Sequence, residues 1–210
     1  MSITFHFPDA ANQLTHFQPE LRDLLSGAAA EVSAVLAIDR LDVLTYATNA
    51  VIPELGVNGY AEGPHLLHMK IDPRNSNLPR CMRTAVPALF AHEVHHCVRG
   101  RTVGYGSTLR EALISEGLAC HFEAQVFGRI PFYATALSPV ESDRMRTRME
   151  PMLDATWYDH ASWFFGSAKE NIPRHAGYAV GYAIVARHLA NHKVTASAAA
   201  ATCATAFFTA

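Results

Sequence analysis

Ile3, Phe5 and Phe7 alternate with polar neighbours, which predicts a short opening strand ended by Pro8-Asp9. Over residues 19–36 the apolar positions Leu21, Leu24, Leu25, Ala28, Val32, Val35 and Leu36 recur at helical spacing. Residues 41–48 return to a β-branched and aromatic pattern. Past Pro53 and Gly56, the glycine-containing stretch 58–64 leads into a further strand over 65–71, closed by Asp72-Pro73. The chain then turns helical. A helix is expected to start between Thr84 and Pro87, because proline fits in a first turn, and to stop at Arg99-Gly100. The next helix opens on Thr108-Leu109-Arg110-Glu111, a capping box, and runs towards Gly128 with Pro131 just beyond. Helices follow over 141–153 and 177–192, and the Ala/Thr/Ser-rich segment 194–210 reads as a closing helix packed on the core. Strands first and helices after define an α+β fold: one domain over 1–210, with a sheet lobe over 1–75 and a helical lobe over 76–210.

Composition narrows what this fold does. Half of the 210 residues are apolar and 17% are charged, which is a globular balance. A net charge of −2, with no Lys/Arg run, gives no electrostatic case for nucleic acid. Cys81, Cys97, Cys120 and Cys203 form no CxxC pair, so a structural zinc knuckle is not expected. The first residues do not resemble a signal peptide, and segment 194–210 is too weakly apolar to span a membrane. The expectation is a cytoplasmic protein with reduced cysteines and no membrane partner; the sequence is silent on oligomeric state.

The chemistry concentrates in His92-Glu93-Val94-His95-His96. Positions i and i+4 of a helix share a face one turn apart, so His92 and His96 can present two imidazoles to one ion. Glu93 sits beside that face, placed to reach a water rather than the metal. Leu89, Phe90, Ala91, Val94, Cys97 and Val98 make the helix largely apolar, and polar groups on a buried helix need partners or a metal. Glu116, 20 positions after His96 on the following helix, completes the His₂Glu set of a catalytic zinc site. Its rivals are Glu111, better used in the capping box, and Glu123, two turns further on, where it would support a ligand from behind. His95 is expected to face the sheet or solvent, and Cys97 and Cys120 to serve as small packing.

His92-Glu93-Val94-His95-His96, the Ser115-Glu116-Gly117-Leu118-Ala119 helix and the segment Ile172-Pro173-Arg174-His175-Ala176-Gly177-Tyr178-Ala179-Val180-Gly181-Tyr182 together resemble the YjaZ-like predicted zinc-dependent proteases, a gluzincin-like family. The likeness spans residues 55–190. It implies a zincin fold, zinc held by His92, His96 and Glu116, and Glu93 as general base; it implies no particular substrate.

The expected function is therefore a zinc metallopeptidase acting on a peptide or protein with a metal-activated water. Tyr178 and His175 are the candidate oxyanion donors. Aromatic packing would account equally well for Tyr178 and Tyr182, which stand at i and i+4. An extended peptide needs a sheet edge to lie against, and residues 59–62 and the strand from His65 are the candidates. Trp157, Tyr158, Trp163, Phe164 and Phe165 read as core rather than as a specificity pocket. Two other functions stay open: a catalytically silent zinc- or ligand-binding regulator with a protease-like fold, and a hydrolase of a non-peptide amide or ester. The intact Glu93 argues against the first, since a silent binder has no use for a base.

Overall fold

A computed structural model describes residues 2–209. The chain is α+β, and its contacts cluster it into two compact units, Met1–Arg101 and Thr102–Ala210. The first unit holds all four strands of the sheet: β1 (Ser2–His6), β2 (Arg40–Ala47), β3 (Val57–Gly63) and β4 (Leu66–Ile71). Their order is β1-β2-β4-β3, with β1, β2 and β4 parallel and β3 antiparallel at the edge. Helix α1 (Gln18–Val35) makes the crossover from β1 to β2 that a parallel pair requires. Along β2 and β4 burial alternates, so Leu41, Val43, Leu67, Met69 and Ile71 face inward. The buried stripe of α1, Leu21, Leu25, Ala28 and Val32, packs with the motif helix α2 (Leu78–Gly100).

Two elements differ from the sequence expectation here. Helix α2 starts at Leu78, about two turns early, and uses Pro79 in its first turn, so Pro87 lies inside it. An interior proline costs roughly 3 kcal/mol, for the lost N–H and the clash with the preceding turn. Val86, Phe90, Ala91 and Val94 are each fully buried on the same helix. Burial of such side chains contributes about 1.5–3 kcal/mol apiece for the larger ones, which outweighs that cost. Gly100 is the last residue of the helix rather than a left-handed stop. The other difference is β3. Its glycines made it read as a lead-in loop, yet it pairs along β4 with Val57 opposite Ile71 and Tyr60 opposite His68, its register slipping between Ala61 and Gly63.

The second unit is helical. Helix α3 (Leu109–Phe127) begins at the expected capping box, Thr108 Oγ1 accepting from the Glu111 N–H at 3.3 Å and Glu111 Oε2 accepting from the Thr108 N–H at 3.0 Å. It ends on Gly128 in the left-handed conformation, φ 69°. Helix α4 (Pro139–Met149) opens two residues before the expected start, on a second capping box formed by Ser138 and Glu141. Helix α5 (His160–Phe165) is short, capped by Asp159, and carries no periodicity long enough to announce it. Of the aromatics expected in the core, Trp163 and Phe164 are buried, whereas Trp157 is 94% exposed and Phe165 is exposed.

The expected closing helix over 194–210 does not form. Residues 196–201 are turns and Ala204–Phe207 is a single 3₁₀ turn; Ala210 lies outside the described residues. Thr195 Oγ1 takes the Ala198 N–H and Gln125 takes the Ser197 N–H, so side chains satisfy donors that a helix would have used. The segment still packs, with Ala196, Ala199, Ala200 and Phe207 buried. No helix among the described residues is long and apolar enough to cross a membrane.

Helix α6 (Ala176–His192) packs on α3 through two glycines. A β-carbon on Gly181 would lie 2.2 Å from the Leu113 carbonyl oxygen, and one on Gly117 would lie 2.4 Å from that of Gly181. Gly181→Ala is accordingly expected to destabilise the protein by about 2–3 kcal/mol, as overpacking against backbone does. Urea unfolding measures this, and an unchanged midpoint would exclude so close an approach.

Candidate functional site

In the first unit, His92, Glu93 and His96 lie on one stretch of α2 whose other residues are almost all apolar and buried. His92 and Glu93 are 5% and 6% exposed, and His96 is half-buried. The two imidazoles, one turn apart, have ring centroids 4.8 Å from each other. His95 is fully buried, which removes solvent as its surroundings. Cys97 is buried as well, and burial, followed by the Glu93 carboxylate, pushes its thiol up to about 12, so it behaves as packing rather than as a thiolate.

Glu93 is held by the edge strand. The Ala61 N–H donates to Glu93 Oε2 at 2.7 Å, a charge-assisted bond from the backbone of β3. The strand comes this close because residue 59 has no side chain: a β-carbon there would lie 2.4 Å from Glu93 Cγ. The glycine that disguised β3 as a loop is thus what lets the sheet edge lie directly over the carboxylate.

In the second unit, Glu116 is 6% exposed near the middle of α3. Tyr105 donates its hydroxyl to Glu116 Oε1 at 2.8 Å, and the Ser115 hydroxyl donates to the Tyr105 carbonyl at 2.9 Å. Burial, then the Glu116 carboxylate, hold the Tyr105 phenol well above its ordinary pKa, so it stays protonated and donates. The two rival glutamates also have hydrogen-bond partners. Glu111 Oε2 takes the N–H groups of Ser107 and Thr108, and buried Glu123 accepts the hydroxyl of buried Tyr133. Cys120 is buried in the same helix.

Tyr178 and His175 stand at the start of α6, His175 as its N-cap residue with φ 68°. The Tyr178 ring meets those of Tyr133, Phe164 and His175 at 5.0, 5.1 and 5.9 Å between centroids. The Tyr178 phenol is also near enough to Tyr105 to help raise its pKa. Tyr182, by contrast, is stacked flat on His121 at 3.8 Å, which is packing. His160 continues the aromatic cluster, with Phe164 stacked on it at 4.3 Å, Tyr105 at 6.3 Å and the Tyr158 hydroxyl 3.2 Å from its Nδ1. Burial lowers the His160 pKa, the nearby Glu116 carboxylate working against it, so the ring favours the neutral form near pH 7. Sequence reasoning passed over Tyr105, Tyr133 and His160. Only Tyr105 had a signal: one aromatic between two glycines, just ahead of a capped helix.

In chain order there stand a small sheet, a helix bearing His92-Glu93-Val94-His95-His96 and a helix bearing buried Glu116. The chain belongs to the family described as "Predicted Zn-dependent protease (DUF2268)", the match extending over residues 21–209. Over 158 residues it is 30% identical to the uncharacterized protein YjfC of Bacillus subtilis (strain 168), an alignment covering 69% of this chain and 51% of that protein. The chain thus spans about half the length of that relative.

Proposed function

We propose that the protein is a zinc-dependent metallopeptidase of zincin arrangement, with zinc held by His92, His96 and Glu116 and with Glu93 as the general base. The donor chemistry fits: two imidazoles from one buried helix and one buried carboxylate, each side chain able to give one ligand atom. Such a set leaves a coordination position open, where bound zinc would lower the pKa of a water to about 7 and polarise a carbonyl. The observation that carries the reading is Glu93, a buried carboxylate next to the His92/His96 face and fixed by the Ala61 N–H. A structural ion has no need of that arrangement; a base does.

In this reading Glu93 takes the proton from the attacking water and hands it to the leaving amine. Tyr178 and His175 donate to the developing oxyanion. The substrate is a peptide or protein segment lying extended along β3, the edge strand, and adding itself to the sheet. In this reading the protein works in a reducing cytoplasm. A second reading, a silent zinc-binding regulator, keeps the ligands but gives Glu93 nothing to do. The deciding experiment assays the zinc-loaded protein on a quenched-fluorescent peptide library, before and after chelation. Cleavage lost on chelation and restored by zinc supports the peptidase. A protein that binds zinc and cleaves no peptide is the regulator, or acts on a non-peptide amide or ester.

Tyr178→Phe is expected to cut kcat by about 10- to 10³-fold with zinc content unchanged, the scale of one oxyanion donor. An unchanged kcat with a lowered unfolding midpoint would return Tyr178 to packing and leave His175 as the donor.

A further inference from the structure

Among the polar contacts on α3, one belongs to a residue that neither binds an ion nor touches a substrate in the reading above. Tyr105 meets the helix twice: its hydroxyl donates to Glu116 Oε1 at 2.8 Å, and its carbonyl accepts from the hydroxyl of Ser115, the residue just before, at 2.9 Å. The loop is shaped to deliver this contact. Gly104 and Gly106 have φ of 78° and 94°, a conformation that side chains rarely adopt, and a β-carbon on Gly106 would lie 2.2 Å from Glu111 Cβ. Glu111 in turn pins the loop to the start of α3 by accepting from the Ser107 and Thr108 N–H groups. The segment between the HExxH helix and α3 is therefore folded back so that one phenol reaches one carboxylate.

We infer that Tyr105 is a positioning residue for Glu116, holding the carboxylate in the orientation in which it ligates zinc. The inference rests on the reading of Glu116 as a ligand. A glutamate has three side-chain torsions to fix before it can ligate, and a buried carboxylate also needs donors to replace the water it has lost. A protonated phenol anchored through its own backbone meets both needs. Outer partners of this kind typically contribute 10- to 100-fold to metal affinity.

Zinc affinity of the full chain, measured by competition with a chromogenic chelator, tests this without any assay of activity. Tyr105→Phe, which removes a single oxygen, is expected to weaken zinc binding by about 10- to 100-fold. Ser115→Ala, which loosens the loop but keeps the phenol, is expected to give a smaller loss of the same sign, and it keeps the test available should Tyr105→Phe not fold. In a Glu116→Ala background, Tyr105→Phe should produce no further loss, because the group it positions is gone. A merely structural tyrosine would weaken binding equally in both backgrounds, and that result overturns the inference, as does wild-type affinity in both Tyr105→Phe and Ser115→Ala. If Glu116→Ala itself keeps wild-type affinity, the ligand assignment fails and takes the inference with it; loss in Glu116→Ala with none in Tyr105→Phe leaves the ligand standing and removes Tyr105 alone.

Discussion

Glu93→Gln is expected to keep its zinc and its fold while hydrolysis falls by on the order of 10²-fold or more, the usual contribution of a general base. The amide matches the carboxylate in size, so the close packing of the Gly59 backbone on this side chain survives the change. The Ala61 N–H can still donate to the amide oxygen. What disappears is the ability to accept a proton and carry it to the leaving group. Single-turnover cleavage of a reporter peptide, with metal content measured on the same sample, reads both halves of the expectation. Equal activity in the two proteins would sink the proposed chemistry.

The other large effect concerns the ion. Purified protein should carry about one divalent metal per chain, zinc preferred, as a single His₂Glu site requires. His92→Ala, His96→Ala and Glu116→Ala should each bring that ratio close to zero after dialysis and abolish hydrolysis with it. Glu111→Ala should lower stability instead, because it removes acceptors from the start of α3 while leaving the donor set whole. Glu123→Ala should likewise keep its metal while removing the carboxylate that accepts the Tyr133 hydroxyl. Full metal in Glu116→Ala, together with an empty site in either of the other two glutamate variants, would reassign the third ligand.

Much of this molecule could be read before its coordinates, and the limits have physical causes. Elements with local start and stop signals came through: the Thr108/Glu111 box and Gly128 frame α3 as anticipated, and the alternation at Ile3 and Phe5 falls within β1. Errors arose where tertiary contacts overrule local preference. Burial of Val86, Phe90 and Val94 carries α2 through Pro87, and pairing with β4 makes a strand of a glycine-containing stretch. At 194–210 the error ran the other way, since alanine content suggested a helix while the Thr195 and Gln125 side chains took backbone N–H groups of the segment. Within the candidate site, the spacing of His92, Glu93 and His96 could be read because one helix carries all three. The Tyr105 contact could not, because it depends on a loop reversing direction between two glycines, and no periodicity encodes that.

Gly117 follows Glu116 directly, and Gly181 comes one turn after Gly177 and Tyr178, so the seam where α3 meets α6 runs beside both the proposed ligand and the proposed oxyanion donor. With glycine at both 117 and 181, backbone meets backbone there, and little is left to cushion a shift of one helix against the other. A shift of α3 against α6 is therefore opposed by backbone on backbone. For anyone redesigning the proposed peptidase, the consequence is practical. Neither group can be moved alone by changing what lies at the seam, so new specificity has to be sought on the loops around it.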